Sequence, residues 1–226
     1  MNKTITITNT GFLIGSLVIL LWFSNLVLAM TVEFSFSNFV IYPLLLLQTH
    51  LFTGLFITAH DAMHGTVSPN KRLNNAIGKI CTFLYAFFPY EKLYAKHHLH
   101  HKHPGTEDDP DFNDSGFWKW YSKFVLEYIS VWQFLGFAIS FNILKLFLPT
   151  ENLIFFWIIP PILSTFQLFY FGTYLPHKGE HDNIHNAESQ SKNHLWAFFS
   201  CYFFGYHYEH HDKPYVPWWK LYKFKK

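Results

Sequence analysis

Apolar residues in this chain come in long blocks, with the polar residues gathered between them. Four blocks approach or exceed the roughly 20 residues a helix needs to cross a bilayer: residues 11–30, 36–59, 125–147 and 153–175. Each predicts a transmembrane helix. Two further apolar stretches, 76–90 and 195–206, are too short to span and predict interfacial or re-entrant pieces. No Gly/Ser/Pro-rich linker, low-complexity tract or internal repeat divides the chain, so residues 1–226 are read as a single domain.

Composition agrees with the pattern. Half of the 226 residues are hydrophobic, 27 are Phe and 14% are charged, which excludes an ordinary soluble domain and leaves no nucleic-acid partner to expect. Cys81 and Cys201 lie far apart in apolar sequence and imply no disulfide framework.

Charge then orients the spans. If the four form two hairpins, the far-side connections are 31–35 and 148–152, and neither holds Lys or Arg. Of the 17 basic residues, Lys145 stands near that side and the other sixteen fall on the opposite one. Basic loops stay cytoplasmic, so both termini of this integral membrane protein are expected in the cytoplasm. A cleaved leader, with Lys3 as its basic end and Val27-Leu28-Ala29 as its cleavage site, is an alternative for the N-terminus. Its apolar run exceeds the roughly 7 to 15 residues of a leader core, and its removal would leave the remaining orientation unchanged.

Fifteen histidines change the picture again, because three groups carry helical spacing: His60 and His64; His97, His100 and His101; His207, His210 and His211. Positions i, i+3 and i+4 share one helix face, and in the hairpin arrangement all three groups emerge at cytoplasmic helix ends. Imidazole is the commonest protein ligand for Zn, Cu, Fe and Ni. One octahedral ion takes at most six ligands, so eight imidazoles imply two ions. Neutral rings also suit an apolar boundary better than ionised carboxylates. His177, directly after the last span, stands at the same depth and is read as a ninth ligand. His98 and His103 fall off the ligand face, His181 and His185 lie in a polar loop, His194 is read as a loop residue and His50 as a hydrogen-bonded histidine within a span.

The stretches FTGLFITAHDAMHG (52–65), HxxHH followed by DPDF (97–112), LFYFGTYLPH (168–177) and FGYHYEHHDKPYVPWW (204–219) resemble the bacterial-type β-carotene 4-ketolases. These are a branch of the membrane fatty-acid desaturase and hydroxylase superfamily, and the resemblance covers roughly residues 40–222. It implies an all-α membrane fold with a histidine-rich cytoplasmic-face site, a non-haem centre of two Fe ions, O2, an external electron donor and a β-ionone ring as substrate. The family's box ligands fall on His60, His64, His97, His100, His101, His207, His210 and His211. Residues 178–193 match no motif, and Tyr222 stands where the family usually has Pro.

Ligating histidines normally donate their second ring nitrogen to a carboxylate or carbonyl, which makes Asp108, Asp109, Asp111 and Glu209 candidates for that role, and Asp61 another. No GxGxxG fingerprint or Cys framework appears, so electrons are expected from a separate protein such as ferredoxin with its reductase, docking on the basic face. The aromatic spans are expected to line a path by which a carotenoid enters from the surrounding lipid. Trp218 and Trp219 are read as interfacial anchors. Alternatives on the same metal chemistry are a carotenoid 3-hydroxylase and a lipid desaturase. A membrane metal transporter is the alternative of another class, but it would place its ligands at mid-membrane.

Overall fold

The computed structural model describes residues 6–225; Lys3 and Lys226 lie outside the described residues. The described chain is helical without strands. The helices are α1 (Thr10–Thr31), α2 (Ile41–Met63), α3 (Lys71–Ala86), α4 (Tyr90–Lys102), α5 (Phe117–Tyr128), α6 (Val131–Leu144), α7 (Thr150–His177), α8 (His194–Cys201), α9 (His207–Asp212) and α10 (Trp218–Leu221). Three of them, α1, α2 and α7, are long and apolar enough to cross a membrane, and the bent pair α5 and α6 makes a fourth if counted as one.

At the centre stands α2, buried along most of its length and packed on α1, α3 and α7. Polar side chains fix these contacts where lipid offers no partners. Asn25 of α1 donates to Gln48 Oε1 at 2.6 Å and to the Leu44 carbonyl at 3.2 Å. Thr53 joins Ser164 at 2.8 Å and Gln167 at 2.6 Å. Asn152, at the start of α7, donates to the Ala29 and Val32 carbonyls and so caps the C-terminus of α1.

The structure departs from the expected four unbroken spans in three ways. The second helix starts at Ile41, because residues 33–40 turn through Asn38 onto the Glu33 and Ser35 backbone, and it runs on to Met63, carrying His60 on the helix itself. The third window bends by 77° between α5 and α6. Ile129 and Ser130 are both extended there, and α5 brings charges that cannot enter lipid: Glu127 pairs with Lys96, and Lys123 donates to the Phe112 carbonyl. Its aromatic face packs instead on α7, with Phe117 against Tyr174 at 4.9 Å and Tyr121 against Phe169 at 5.2 Å. The remaining α6 has 14 residues, about 21 Å at 1.5 Å per residue. The last span contains two π-helical segments, Ile154–Ile158 and Tyr170–Tyr174.

Both short apolar stretches form short helices, each stopped by left-handed residues, Phe87 after α3 and Tyr202 with Phe203 after α8.

Candidate metal centre

The ends of α2, α4 and α7 and the short α9 bring nine histidines together as two groups. His60, His64, His97, His101 and His210 form one; His100, His177, His207 and His211 form the other. Within each group one ring nitrogen per residue lies within 4.8 Å of all the others. The helical spacing explains the split: α4 turns His97 and His101 to one side and His100 to the other, and α9 divides His210 from His207 and His211.

Closer distances show how the rings converge. His64 and His97 bring their Nε2 atoms to 2.6 Å, and His101 and His210 to 3.0 Å. In the second group Nε2 of His207 stands 2.9 Å from that of His177 and 3.0 Å from that of His211, which is 3.1 Å from His100. Adjacent corners of an octahedron with metal–nitrogen bonds of about 2.1 Å lie about 3 Å apart. The outer nitrogens settle the tautomers of two rings. His100 donates from Nδ1 to both oxygens of Asp109 at 2.9 Å, and His177 donates from Nδ1 to the Asn186 carbonyl at 2.7 Å. Their Nε2 lone pairs therefore both point inward, an arrangement that repels unless a cation sits between them. The residues fit two metal ions, one with five nitrogen donors and one with four.

Burial favours the neutral, ligating form of most of these rings, with His100 the exception. Burial, followed by the neighbouring imidazoles, holds His97, His207, His210 and His211 well below the usual histidine range. Burial brings His64 to about 3 and His101 to about 2. Burial also opposes charge on His100, but Asp109 and Asp111 outweigh it and raise the ring above its ordinary value.

The acids separate clearly. Asp109 is buried and also accepts the Gly105 and Asp111 N–H groups, each at 2.8 Å. Asp111 takes the Tyr128 hydroxyl and stands 4.0 Å from His100 Nδ1. Asp108 is exposed and makes no side-chain hydrogen bond among the described residues, so it orients no imidazole. Glu209 accepts from Ser189 and lies 3.3 Å from Lys225; its carboxylate tethers the loop and the tail and meets no histidine. Asp61 links two elements, with Oδ1 3.4 Å from His60 Nδ1 and Oδ2 accepting the Trp218 N–H at 2.9 Å.

Other expectations shift. His50 is not hydrogen-bonded: its ring stacks on Tyr202 at 4.3 Å, and Nε2 is buried without a partner. Trp218 and Trp219 are not simple interfacial anchors, since Trp218 packs on Phe198, Tyr202 and Phe203 and Trp219 reaches Gly11. His98 stacks on Tyr94 and bonds its carbonyl, and His194 meets the Tyr206 hydroxyl at 2.9 Å. His181 and His185 belong to neither group, although His185 approaches His211 with ring centres 5.7 Å apart.

Sequence reasoning missed the loop 178–193. It lies over the four-histidine group, held by Glu188 N–H on the Pro176 carbonyl, Gln190 N–H on the Gly205 carbonyl and Asn186 Nδ2 on the Pro104 carbonyl. The left-handed Asn186 turns its carbonyl to His177. A main-chain acceptor leaves no side-chain signature.

A cavity of about 390 Å³ borders both groups through His60, His97, His100 and His207. Its remaining wall is almost wholly apolar, with Phe56, Phe137 and Leu168 among the residues facing it. Phe134 of α6 and Ile162 of α7 line it and are also 60% and 58% exposed, which marks an opening between these helices.

A model of the family "Fatty acid desaturase" matches residues 37–150 and 113–226. The β-carotene ketolase of Paracoccus sp. (strain PC1) is 44% identical over 179 residues, covering 76% of this chain and 74% of that protein. The chain belongs to the fatty acid desaturase family. Two algal members are nearly as similar. A β-carotene ketolase of Haematococcus lacustris is 43% identical, covering 76% of this chain and 58% of that protein. A zeaxanthin 4-ketolase of Chlamydomonas reinhardtii is 41% identical, covering 89% and 48%. The chain thus spans about three-quarters of the Paracoccus relative and roughly half of the algal ones. No solved structure matches it. The ring of Tyr222 packs on His194 and Phe203.

Proposed function

We infer that the protein is a β-carotene 4-ketolase, an O2-dependent oxygenase that turns the C4 methylene of a β-ionone ring into a ketone, giving echinenone after one ring and canthaxanthin after both. Zeaxanthin would give astaxanthin by the same step. The observation that carries the reading is the apolar cavity that reaches both histidine groups and opens between α6 and α7. A water-soluble substrate has no use for such a site; a hydrocarbon dissolved in the bilayer does.

The nine histidines would hold two irons, five donors to one and four to the other. Reduced iron with nitrogen ligands and open positions supplies activation of O2 toward an allylic C–H bond. Each round places one oxygen atom in a C–H bond, while two electrons and two protons from outside convert the other oxygen atom to water. Two rounds at C4 give a geminal diol that loses water. The protein's own share is positioning. Asp109 and the Asn186 carbonyl hold ring tautomers, the cavity wall excludes water, and the α6–α7 opening admits the ring end of a polyene.

The charge pattern supports a single domain with α1, α2, α7 and the α5–α6 pair disposed as two hairpins in an inner membrane, termini and histidines on the cytoplasmic side. Exposed Lys71, Arg72, Lys92, Lys102, Lys178 and Lys192 would attract an acidic electron donor such as ferredoxin, supplied by its reductase.

Expression in a host that makes β-carotene tests the activity. The ketone extends conjugation, so pigment turns from yellow-orange toward red, with each modified ring two hydrogens lighter and one oxygen heavier. Pigment hydroxylated at C3, with an unshifted spectrum, would point to a 3-hydroxylase instead, and unchanged pigment would contradict a ketolase and leave a lipid desaturase as the alternative.

A further inference from the structure

The two acids of the DPDF stretch are used differently. Asp109 is saturated by His100, Gly105 and Asp111. Asp111 is not. Its Oδ1 accepts the Tyr128 hydroxyl and its main-chain carbonyl accepts the Trp120 indole N–H at 2.6 Å. Its Oδ2 has no hydrogen bond among the described residues, stands 4.0 Å from His100 Nδ1, and belongs to the cavity wall. The side chain is 12% exposed and lines the cavity.

An acceptor left bare in an apolar wall is costly unless a ligand brings it a donor. β-Carotene is a hydrocarbon and brings none. The alcohol formed by the first oxidation does, on the carbon that must be oxidised again. If that hydroxyl bonds to Asp111, C4 stays in the part of the cavity that His100 borders.

We propose that Asp111 Oδ2 accepts a hydrogen bond from the C4 hydroxyl of the half-oxidised ring and thereby retains this alcohol for the second oxidation. Asp111 makes no covalent bond and accepts no electrons; its contribution is to slow the escape of the intermediate. The inference rests on the ketolase reading and adds to it a residue that separates a one-step from a two-step product.

The test uses detergent-solubilised holoenzyme with β-carotene, O2 and a reduced donor, and scores 4-hydroxy against 4-keto rings. In Asp111→Asn the acceptor loses its charge, and the ratio of alcohol to ketone released should rise about tenfold. Binding to the oxidised holoenzyme without reductant is the second readout. Wild type should hold the 4-hydroxy carotenoid about tenfold tighter than β-carotene, with the preference lost in the variant. If Asp111→Asn fails to fold, the wild-type preference alone decides. Ketone from wild type with an unchanged ratio in the variant, or equal binding of alcohol and hydrocarbon by wild type, would overturn this inference and leave the ketolase reading standing. Absence of ketone from wild type would remove both.

Discussion

The two histidine groups share a donor type but not a means of support. In the four-histidine group two rings are anchored from outside, His100 by a buried carboxylate and His177 by a loop carbonyl. In the five-histidine group no ring makes a hydrogen bond to an oxygen among the described residues; Asp61 stands 3.4 Å from His60 Nδ1 without bonding it. There the rings are held by where α2, α4 and α9 end. One group is thus shaped by loops and hydrogen bonds, the other by helix packing, and the two should fail differently when disturbed.

The largest expected effect is loss of a donor. His101→Ala in the five-histidine group and His211→Ala in the other should each abolish ketone formation while the protein still inserts, and each should lower metal content at its own group only. Metal analysis with pigment assay checks this; full activity in either variant would break the assignment.

Asp109→Asn sharpens the contrast. It leaves all nine donors but loosens the His100 tautomer, and removing such an outer partner typically costs 10 to 100-fold in metal affinity. Competition against a chelator should show weakened binding at the four-histidine group and unchanged binding at the five-histidine group. Asp61→Asn should give the smaller, opposite pattern.

Gly105→Ala acts on the same support more gently. Gly105 has φ +68°, and a Cβ there would stand 2.8 Å from Cβ of Asn186. Strain of about 1–3 kcal/mol is expected, read as a lower melting temperature with the metal count preserved.

Acid should weaken the metal-stripped protein. The buried rings outside the spans have folded pKa values below the unfolded 6.5, His64 at about 3 and His101 at about 2. The unfolded chain therefore binds more protons, and the stability these rings contribute is present above pH 6.5 and is lost as pH falls toward the folded values. His100, raised by its acids, runs the other way and offsets part of the loss. Melting temperature against pH on chelated protein measures the sum. The smallest effects belong to His181→Ala and His185→Ala, outside both groups, where activity should change by no more than about twofold.

Much of this site could be read along the chain because helical spacing is a local property. HxxxH and HxxHH put imidazoles on one face wherever a helix forms, and a histidine at the end of an apolar run can only emerge at the membrane boundary. The division into five and four was not readable, since it depends on how α4 and α9 are rotated against α2. Nor was the separation of Asp109 from Asp111, two residues apart, because residues 109–112 form a turn, closed by the Phe112 N–H on the Asp109 carbonyl, that sends the two side chains to different neighbours. The bend at Ile129 escaped for a related reason: no Pro or Gly marks it, and only the packing of α5 on α7 and the Lys96 to Glu127 pair make it favourable.

The central claim is that one chain holds two irons in unequal surroundings, and iron-57 Mössbauer spectroscopy with metal counting on the purified protein tests it most directly. The account predicts about two irons per chain, seen as two distinct quadrupole doublets, one of which is altered in Asp109→Asn. A single metal per chain, zinc in place of iron, or one doublet unaffected by that substitution would contradict it.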